Sequence, residues 1–235
     1  MTAMPREALI VGLGLIGGSV ALALRERGWR VRYSDPHVST DEFERGDDAP
    51  LVIIATPVDV AMQLVREPHA GVVTSVCSVM KPLRDVATGR FVAGHPLAGS
   101  EESGFNAARA DLFAGKPWFV DGDDAAVEEL VRDCGAVLER VDSAEHDAAV
   151  ALTSHLPQVL STALAALLAE HPESLRYAGS GLKTFLRLAG SDASVWGPVI
   201  ETNRGNIAAG ADELERIVRT MLDGDTSAFE KARRG

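Results

Sequence analysis

The sequence predicts an α/β fold, a mostly parallel sheet covered by helices, followed by an all-α region. Three observations predict it. Short β-rich runs recur at 7–11, 30–34, 51–55, 71–76, 90–93, 118–120 and 136–141, and helical stretches separate several of them. Strands alternating with helices form βαβ units, whose parallel sheet is covered on both faces. The first run, a helix expected over 17–27 and the second run make one such unit. After about Ser143 no strand pattern remains, and the chain reads as helices punctuated by Pro157, Pro172, Gly179, Gly181, Gly190, Pro198 and Gly210. The division is therefore expected near the last strand, with a sheet domain over 1–145 and a helical domain over 146–235. No internal repeat, low-complexity tract or long linker interrupts them.

A length of 235 residues accommodates one large domain or two modest ones, each with its own core. The 23 Lys plus Arg against 34 Asp plus Glu give a net charge of −11. That charge offers no global attraction to nucleic acid or to an anionic membrane surface, so neither is an expected partner. A local basic pocket for a small anion is still compatible with it. The two cysteines, Cys77 and Cys134, form no Cys-x-x-Cys and have no histidine at ligand spacing. That usage fits reduced thiols in a cytoplasmic protein and no bound metal.

Two uncharged stretches resemble membrane elements. Residues 8–24 contain Ala21-Leu22-Ala23, like a signal-peptide cleavage site, but Gly12-Leu13-Gly14 breaks the apolar run that a leader needs. Residues 148–169 match the length of a bilayer span. They carry Thr153, Ser154, His155, Pro157, Gln158, Ser161 and Thr162, which suit a protein interior better than lipid. The expectation is a helix buried on most sides, which in so small a chain implies a partner subunit.

Gly12-Leu13-Gly14-Leu15-Ile16-Gly17 follows an apolar strand and opens a helix, the setting in which G-x-G-x-x-G has physical meaning. Gly12 permits the tight turn, Gly14 lets backbone approach a pyrophosphate, and Gly17 lets helix pack on strand. The helix N-terminus supplies free N–H groups. Asp35 ends the second strand, where a carboxylate accepts from both ribose hydroxyls and repels a 2′-phosphate, so NAD is preferred to NADP. A Rossmann-type domain follows, with Gly12, Gly14, Leu15, Ile16, Gly17 and Asp35 at the cofactor. Thr56-Pro57 takes the equivalent place after the third run.

Ligands bind at the carboxyl ends of parallel strands. His95-Pro96 leaves the strand run at 90–93 there, and Ser78 and Lys81 follow another strand to the same edge. A surface histidine and a helix-capping serine are the plainer alternatives. His155 reads equally as a core histidine, His37, His69 and His171 as solvated loop residues, and His146 as the start of a helix. Lys183 and Arg187 stand four apart, so a regular helix would present both on one face, as a solvated basic surface or as an anion clamp. No Ser-His-Asp order, Walker loop or H-E-x-x-H is present.

Taken together these segments resemble the prephenate/arogenate dehydrogenase family of tyrosine biosynthesis, over nearly the whole chain. Gly12-Leu13-Gly14-Leu15-Ile16-Gly17-Gly18-Ser19 is similar to its dinucleotide turn, Ala55-Thr56-Pro57-Val58 to its third nucleotide-edge loop and Ser78-Val79-Met80-Lys81 to its serine-valine-x-lysine segment. His95-Pro96-Leu97-Ala98-Gly99-Ser100-Glu101-Glu102-Ser103-Gly104 resembles its most distinctive signature, and Ser154-His155-Leu156-Pro157 its helical motif. The run Gly181-Leu182-Lys183-Thr184-Phe185-Leu186-Arg187-Leu188-Ala189, with Ser191-Asp192 and Trp196, matches its substrate-anchoring segment.

The resemblance implies a nucleotide-binding domain, a helical dimerisation domain that makes a homodimer, and a site between them. It implies that hydride passes from the ring carbon bearing the 4-hydroxyl to NAD while the ring loses CO2 and becomes a phenol. His95 would accept the hydroxyl proton, a role suited to an imidazole. Ser78 would bind the same hydroxyl or orient His95. Arg187 would bind a substrate carboxylate with its planar fork, and Lys183, His155 and Glu101 would be further substrate or gating groups. Between Asp35 and Pro50 the chain is too short for a full helix and strand, so a shortened helix and a missing edge strand are expected. No separate allosteric module is expected. The resemblance leaves prephenate and arogenate both open as substrate. Another NAD-linked hydroxyacid dehydrogenase, or a protein that binds NAD without turning it over, is the alternative.

Overall fold

The structure is a computed structural model describing residues 6–100 and 102–234. Two compact units divide the chain, the first ending at Asp147 and the second beginning at Ala148.

In the first unit the described residues form one eight-stranded sheet. Its strands are β1 (Glu7–Val11), β2 (Arg30–Ser34), β3 (Glu44–Arg45), β4 (Leu51–Ile54), β5 (Val72–Ser75), β6 (Phe91–Pro96), β7 (Pro117–Asp121) and β8 (Val137–Arg140), in spatial order β3-β2-β1-β4-β5-β6-β7-β8. The first six strands are parallel, with Ile10 opposite Tyr33 on one side and Ile53 on the other. The order reverses at β1 and β4, the point at which such sheets bind ligands. All four residues of β4 and all four of β5 are buried, as expected of central strands covered on both faces. β7 runs antiparallel to β6 and carries β8 parallel to itself, placing Phe119 opposite His95.

Helices α1 (Leu15–Glu26), α2 (Val58–Leu64), α3 (Lys81–Val86) and α4 (Ala125–Asp133) cover this sheet. The first helix begins two residues earlier than its apolar pattern suggests, with Gly14 as N-cap. The segment after Asp35 departs further from expectation. The described residues between β2 and β4 hold no helix, rather than a shortened one, and the edge strand survives as the two-residue β3. Hydrogen bonds within the Asp35 loop take the place of helical packing there: His37 and Val38 N–H donate to the Asp35 carboxylate, and Arg45 donates to the carbonyls of Asp35 and Val38 at 3.2 and 2.9 Å.

A continuous helical run, Ser143–Ala169, crosses the boundary. It comprises α5 (Ser143–Val150), a π-helical turn (Ala151–His155) and α6 (Leu156–Ala169). Pro157 has no N–H for the carbonyl of Thr153, and the ladder widens to the π turn just before it. By length and composition this run is apolar enough to cross a membrane, yet only 33% of that apolar window is buried. Within one chain α6 buries only Leu156, Gln158 and Ser161, so this chain by itself does not supply the expected burial on most sides. One face packs on its own unit and the rest, including half-exposed Leu167, is open in the single chain. The second unit continues with α7 (Ser180–Phe185), α8 (Ala193–Thr202), α9 (Arg204–Leu222) and α10 (Ser227–Ala232), together with 3-10 turns at Pro172–Tyr177 and Leu186–Gly190.

Candidate active site

At the carboxyl edge of β1 the chain turns sharply through Gly12, whose φ of +95° favours glycine. A Cβ there would meet the Ala55 carbonyl oxygen at 2.6 Å, so the loop after β4 lies directly against the turn. A Cβ on Gly17 would stand 2.0 Å from the carbonyl oxygen of Gly12, so any side chain there must push backbone apart. Gly14 differs: its φ is −83°, and a Cβ would meet nothing within 4 Å. The protein's own packing does not require glycine at 14. No side chain caps the N-terminus of α1, so its first N–H groups are directed outward as donors. Open space in front of Gly14, beside uncapped donors, leaves room for a pyrophosphate.

Leu15 and Ile16 are half-buried in the first turn of α1. Thr56 is half-buried and Pro57 exposed beside the turn, and the Cys77 thiol donates to the Thr56 carbonyl at 3.7 Å. Asp35 closes the site from β2. Its Oδ2 accepts from Leu13 N–H at 2.7 Å, and its Oδ1 accepts from His37 and Val38 N–H at 2.7 and 2.9 Å. Partial burial pushes this carboxyl up, but the three N–H donors outweigh it and hold the group below its ordinary value. A carboxylate accepts about four hydrogen bonds. Asp35 therefore offers about one site to a ribose, at Oδ2, where the sequence allotted it both hydroxyls.

His95 is the fifth residue of β6, at the same carboxyl edge. Its Nδ1 lies 2.9 Å from Nε2 of His146 on α5, and Nδ1 of His146 lies 2.8 Å from Oδ1 of Asp147. The Asp147 carboxylate also accepts from the backbone N–H of Met80 and of Lys81, both at 2.9 Å. His146 and Asp147 are buried. Secondary structure explains the alignment. Asp142 accepts from Ala144 and Glu145 N–H, Asp121 at the end of β7 accepts from Ser143, and these bonds seat the first turn of α5 against the sheet. Phe119 packs on the His146 ring, with centroids 5.5 Å apart.

The sequence brings Ser78 and Lys81 to this edge, and the structure places both after β5, the neighbour of β6. Ser78 is half-buried. The Lys81 ammonium pairs with Asp85, so it is through their backbone that Met80 and Lys81 reach the histidine chain. The loop after His95 docks on the nucleotide helix. Gly18 leaves room for Phe105 and Ala108, which a Cβ would meet at 2.7 and 2.8 Å, and Arg109 N–H bonds the Ser19 hydroxyl at 3.0 Å. Glu101 in that loop lies outside the described residues.

In the second unit, His155 is fully buried, its Nδ1 3.1 Å from Asn203 Nδ2 and its ring edge-on to Trp196. Lys183 lies in α7, whereas Arg187 lies in the 3-10 turn that follows, and both are exposed. The shared helical face is thereby corrected, because the pitch changes between them. What holds Arg187 is the helix beneath: buried Ser161 donates to the Phe185 carbonyl at 2.9 Å and buried Gln158 to the Leu188 carbonyl at 2.8 Å. These two polar residues of the uncharged helix therefore anchor the segment on both sides of Arg187.

Sequence reasoning missed His146, Asp147 and the docking role of Gly18. The signal available was a histidine and an aspartate side by side in the first helix after the last strand. Among the described residues no group of three or more His, Cys, Asp or Glu side chains is arranged to hold a metal. Both cysteines are free and buried, and burial pushes the Cys77 thiol up to about 12.

A glycine turn at the switch point of a parallel sheet, with a histidine chain on the same edge, defines a nucleotide-binding oxidoreductase architecture. Residues 34–145 match the family described as prephenate dehydrogenase, nucleotide-binding domain, and residues 142–226 match prephenate dehydrogenase, dimerization domain. The chain belongs to the prephenate dehydrogenase family. A prephenate dehydrogenase of Bacillus subtilis is 30% identical over 93% of this chain and 70% of its own length. The crystal structure of Synechocystis arogenate dehydrogenase superposes with a TM-score of 0.75 at 25% identity, covering 92% of this chain and 91% of that one. That of Aquifex aeolicus prephenate dehydrogenase, in complex with hydroxyphenyl propionate and NAD+, gives 0.84 at 24% identity over 100% and 97%.

Proposed function

We propose that the protein catalyses the NAD-dependent oxidative decarboxylation of prephenate to 4-hydroxyphenylpyruvate. The observation that carries this reading is His95, set on the ligand-binding edge of the sheet and hydrogen-bonded at Nδ1 to a buried histidine. The uncapped N-terminus of α1, Gly12, Gly14, Leu15, Ile16, Gly17, Thr56 and Pro57 receive the dinucleotide, and Asp35 binds its ribose. The NAD+ in the Aquifex aeolicus structure supports that cofactor. When bound, NAD accepts the hydride from the ring carbon that bears the hydroxyl.

His95 takes the hydroxyl proton as the carbon–oxygen bond gains double-bond character, and Ser78 orients the same oxygen. Loss of CO2 then returns the electrons to the ring, and the proton on His95 goes back to the phenolic oxygen. Aromatisation supplies driving force, so holding the reactants in place is most of the enzyme's task. Arg187 binds a substrate carboxylate, with Lys183, His155 and Glu101 as further substrate contacts. The matched dimerization domain and the open apolar face of α6 support a homodimer through the helical unit. Free buried cysteines agree with a cytoplasmic setting.

The test is NADH formation at 340 nm together with CO2 release, using prephenate and arogenate side by side. Turnover of prephenate above arogenate is expected. Arogenate dehydrogenase activity is the second reading, supported by the fold match to the Synechocystis enzyme. A protein that binds NAD and releases neither product from either substrate would refute both.

A further inference from the structure

We propose that Asp147 and His146 are positioning residues that set the tautomer of His95, making Nε2 the nitrogen that accepts the substrate proton. The inference rests on His95 being the base and adds which atom acts and what selects it. Its logic is hydrogen-bond accounting. The Asp147 carboxylate already accepts two backbone N–H groups, from Met80 and Lys81, and a carboxylate is an acceptor only. Across the 2.8 Å contact, the hydrogen must therefore sit on Nδ1 of His146. A neutral imidazole with a hydrogen on Nδ1 is an acceptor at Nε2. The 2.9 Å contact between that nitrogen and Nδ1 of His95 then needs a hydrogen that only His95 supplies. His95 is thus held as its Nδ1–H tautomer, which a histidine side chain in water disfavours, and Nε2 keeps the lone pair.

The same chain serves the next step. When Nε2 takes the hydroxyl proton, His95 becomes an imidazolium that still donates from Nδ1 to His146, and the carboxylate beyond stabilises the positive charge. The arrangement follows the orienting role of aspartate in a Ser-His-Asp triad, with one imidazole inserted between carboxylate and base. His146 is buried and its ring is packed by Phe119, so it cannot turn to exchange its two nitrogens without repacking.

The direct test reads the wild-type tautomer, with one variant used only to assign signals. In the full-length protein labelled with ¹⁵N histidine, two-bond ¹H–¹⁵N correlation spectra at alkaline pH report which ring nitrogen carries the hydrogen, and the signals lost in His95→Asn identify His95. A hydrogen on Nδ1 of His95 and of His146 is expected. The variant arm is Asp147→Asn, whose amide replaces one acceptor oxygen by a donor. It should move hydrogen on His95 toward Nε2 and lower kcat by about 10²- to 10⁴-fold while KM for prephenate stays within about threefold. A wild-type His95 with its hydrogen on Nε2 overturns the proposal, as does an Asp147→Asn protein with unchanged kcat. The two levels fail separately: if His95→Asn keeps its turnover the base assignment is wrong, whereas an inactive His95→Asn with Nε2–H in the wild type refutes only the relay.

Discussion

The glycine turn offers a paired substitution in which folding and binding should separate. Gly17→Ala places a Cβ 2.0 Å from the carbonyl oxygen of Gly12, 3.0 Å from Ala55 Cβ and 3.1 Å from Ile10 Cγ2. Carbon–oxygen contacts settle near ~3.3 Å, so two backbone segments of one turn must part by roughly 1.3 Å. Overpacking of this kind costs about 1–3 kcal/mol, or roughly 2–12 °C in Tm for a chain of this size. Gly14→Ala meets no protein atom within 4 Å and keeps a φ of −83° that alanine adopts. The freedom the unfolded chain loses, about 0.4–1 kcal/mol, offsets the preference of an N-cap for glycine over alanine, of about the same size, so stability should stay within about 1 kcal/mol of wild type. Its methyl group stands instead where the dinucleotide must approach the N–H groups of α1. Losing one charge-assisted hydrogen bond there, about 1.5–3 kcal/mol, raises the NAD Kd roughly 10- to 150-fold. Thermal unfolding of the two ligand-free variants, followed by NAD titration in a calorimeter, measures both quantities. A Gly14→Ala protein that melts as far below wild type as Gly17→Ala does, or that binds NAD within twofold of wild type, would refute the assignment of this glycine to the ligand.

Three other outcomes are expected. His95→Asn should reduce kcat by about 10²–10⁴-fold with little change in NAD affinity, read by initial rates and by titration. Arg187→Gln, which removes a fork for a carboxylate, should raise KM for prephenate by roughly 10- to 100-fold and alter kcat less; an unchanged KM would remove Arg187 from the substrate site. Asp35 sets an acid dependence. Its folded-state value lies below its ordinary 3.8, so the stabilisation is complete above that value and disappears as pH falls through the folded one. The Tm difference between wild type and Asp35→Asn should therefore be present at neutral pH and vanish under strong acid, whereas a difference independent of pH would show that ionisation of Asp35 does not matter.

Much of this molecule is local in origin and so was legible in the chain. Strand runs alternating with helices are written in short-range hydrophobic pattern, and the sheet they imply is the one observed, including its central buried strands. The turn at Gly12, Gly14 and Gly17 is equally legible as a short motif, since Gly17 answers to the Gly12 carbonyl five residues back and Gly12 to a loop one strand over, while Gly14 faces open space. His95 could be placed at the ligand edge because strand ends are readable. The pattern failed where distant segments decide. Between Asp35 and Pro50 it suggested a shortened helix, but the backbone there is tied by Asp35, Arg45 and a two-residue strand. Lys183 and Arg187 have helical spacing, yet the turn between them tightens where α6 holds the carbonyls of Phe185 and Leu188.

The sequence by itself determined the fold class, the glycine turn and the family, because each rests on short motifs of residues near one another along the chain. Only the tertiary structure decided that His95, His146, Asp147 and the N–H groups of Met80 and Lys81 form one hydrogen-bonded chain. Its members come from β6, from α5 and from the N-terminus of α3, and His95 and His146 are 51 positions apart. Nothing in local pattern links them, and hydrogen-bond direction, which distinguishes one ring nitrogen from the other, exists only once those segments are packed together.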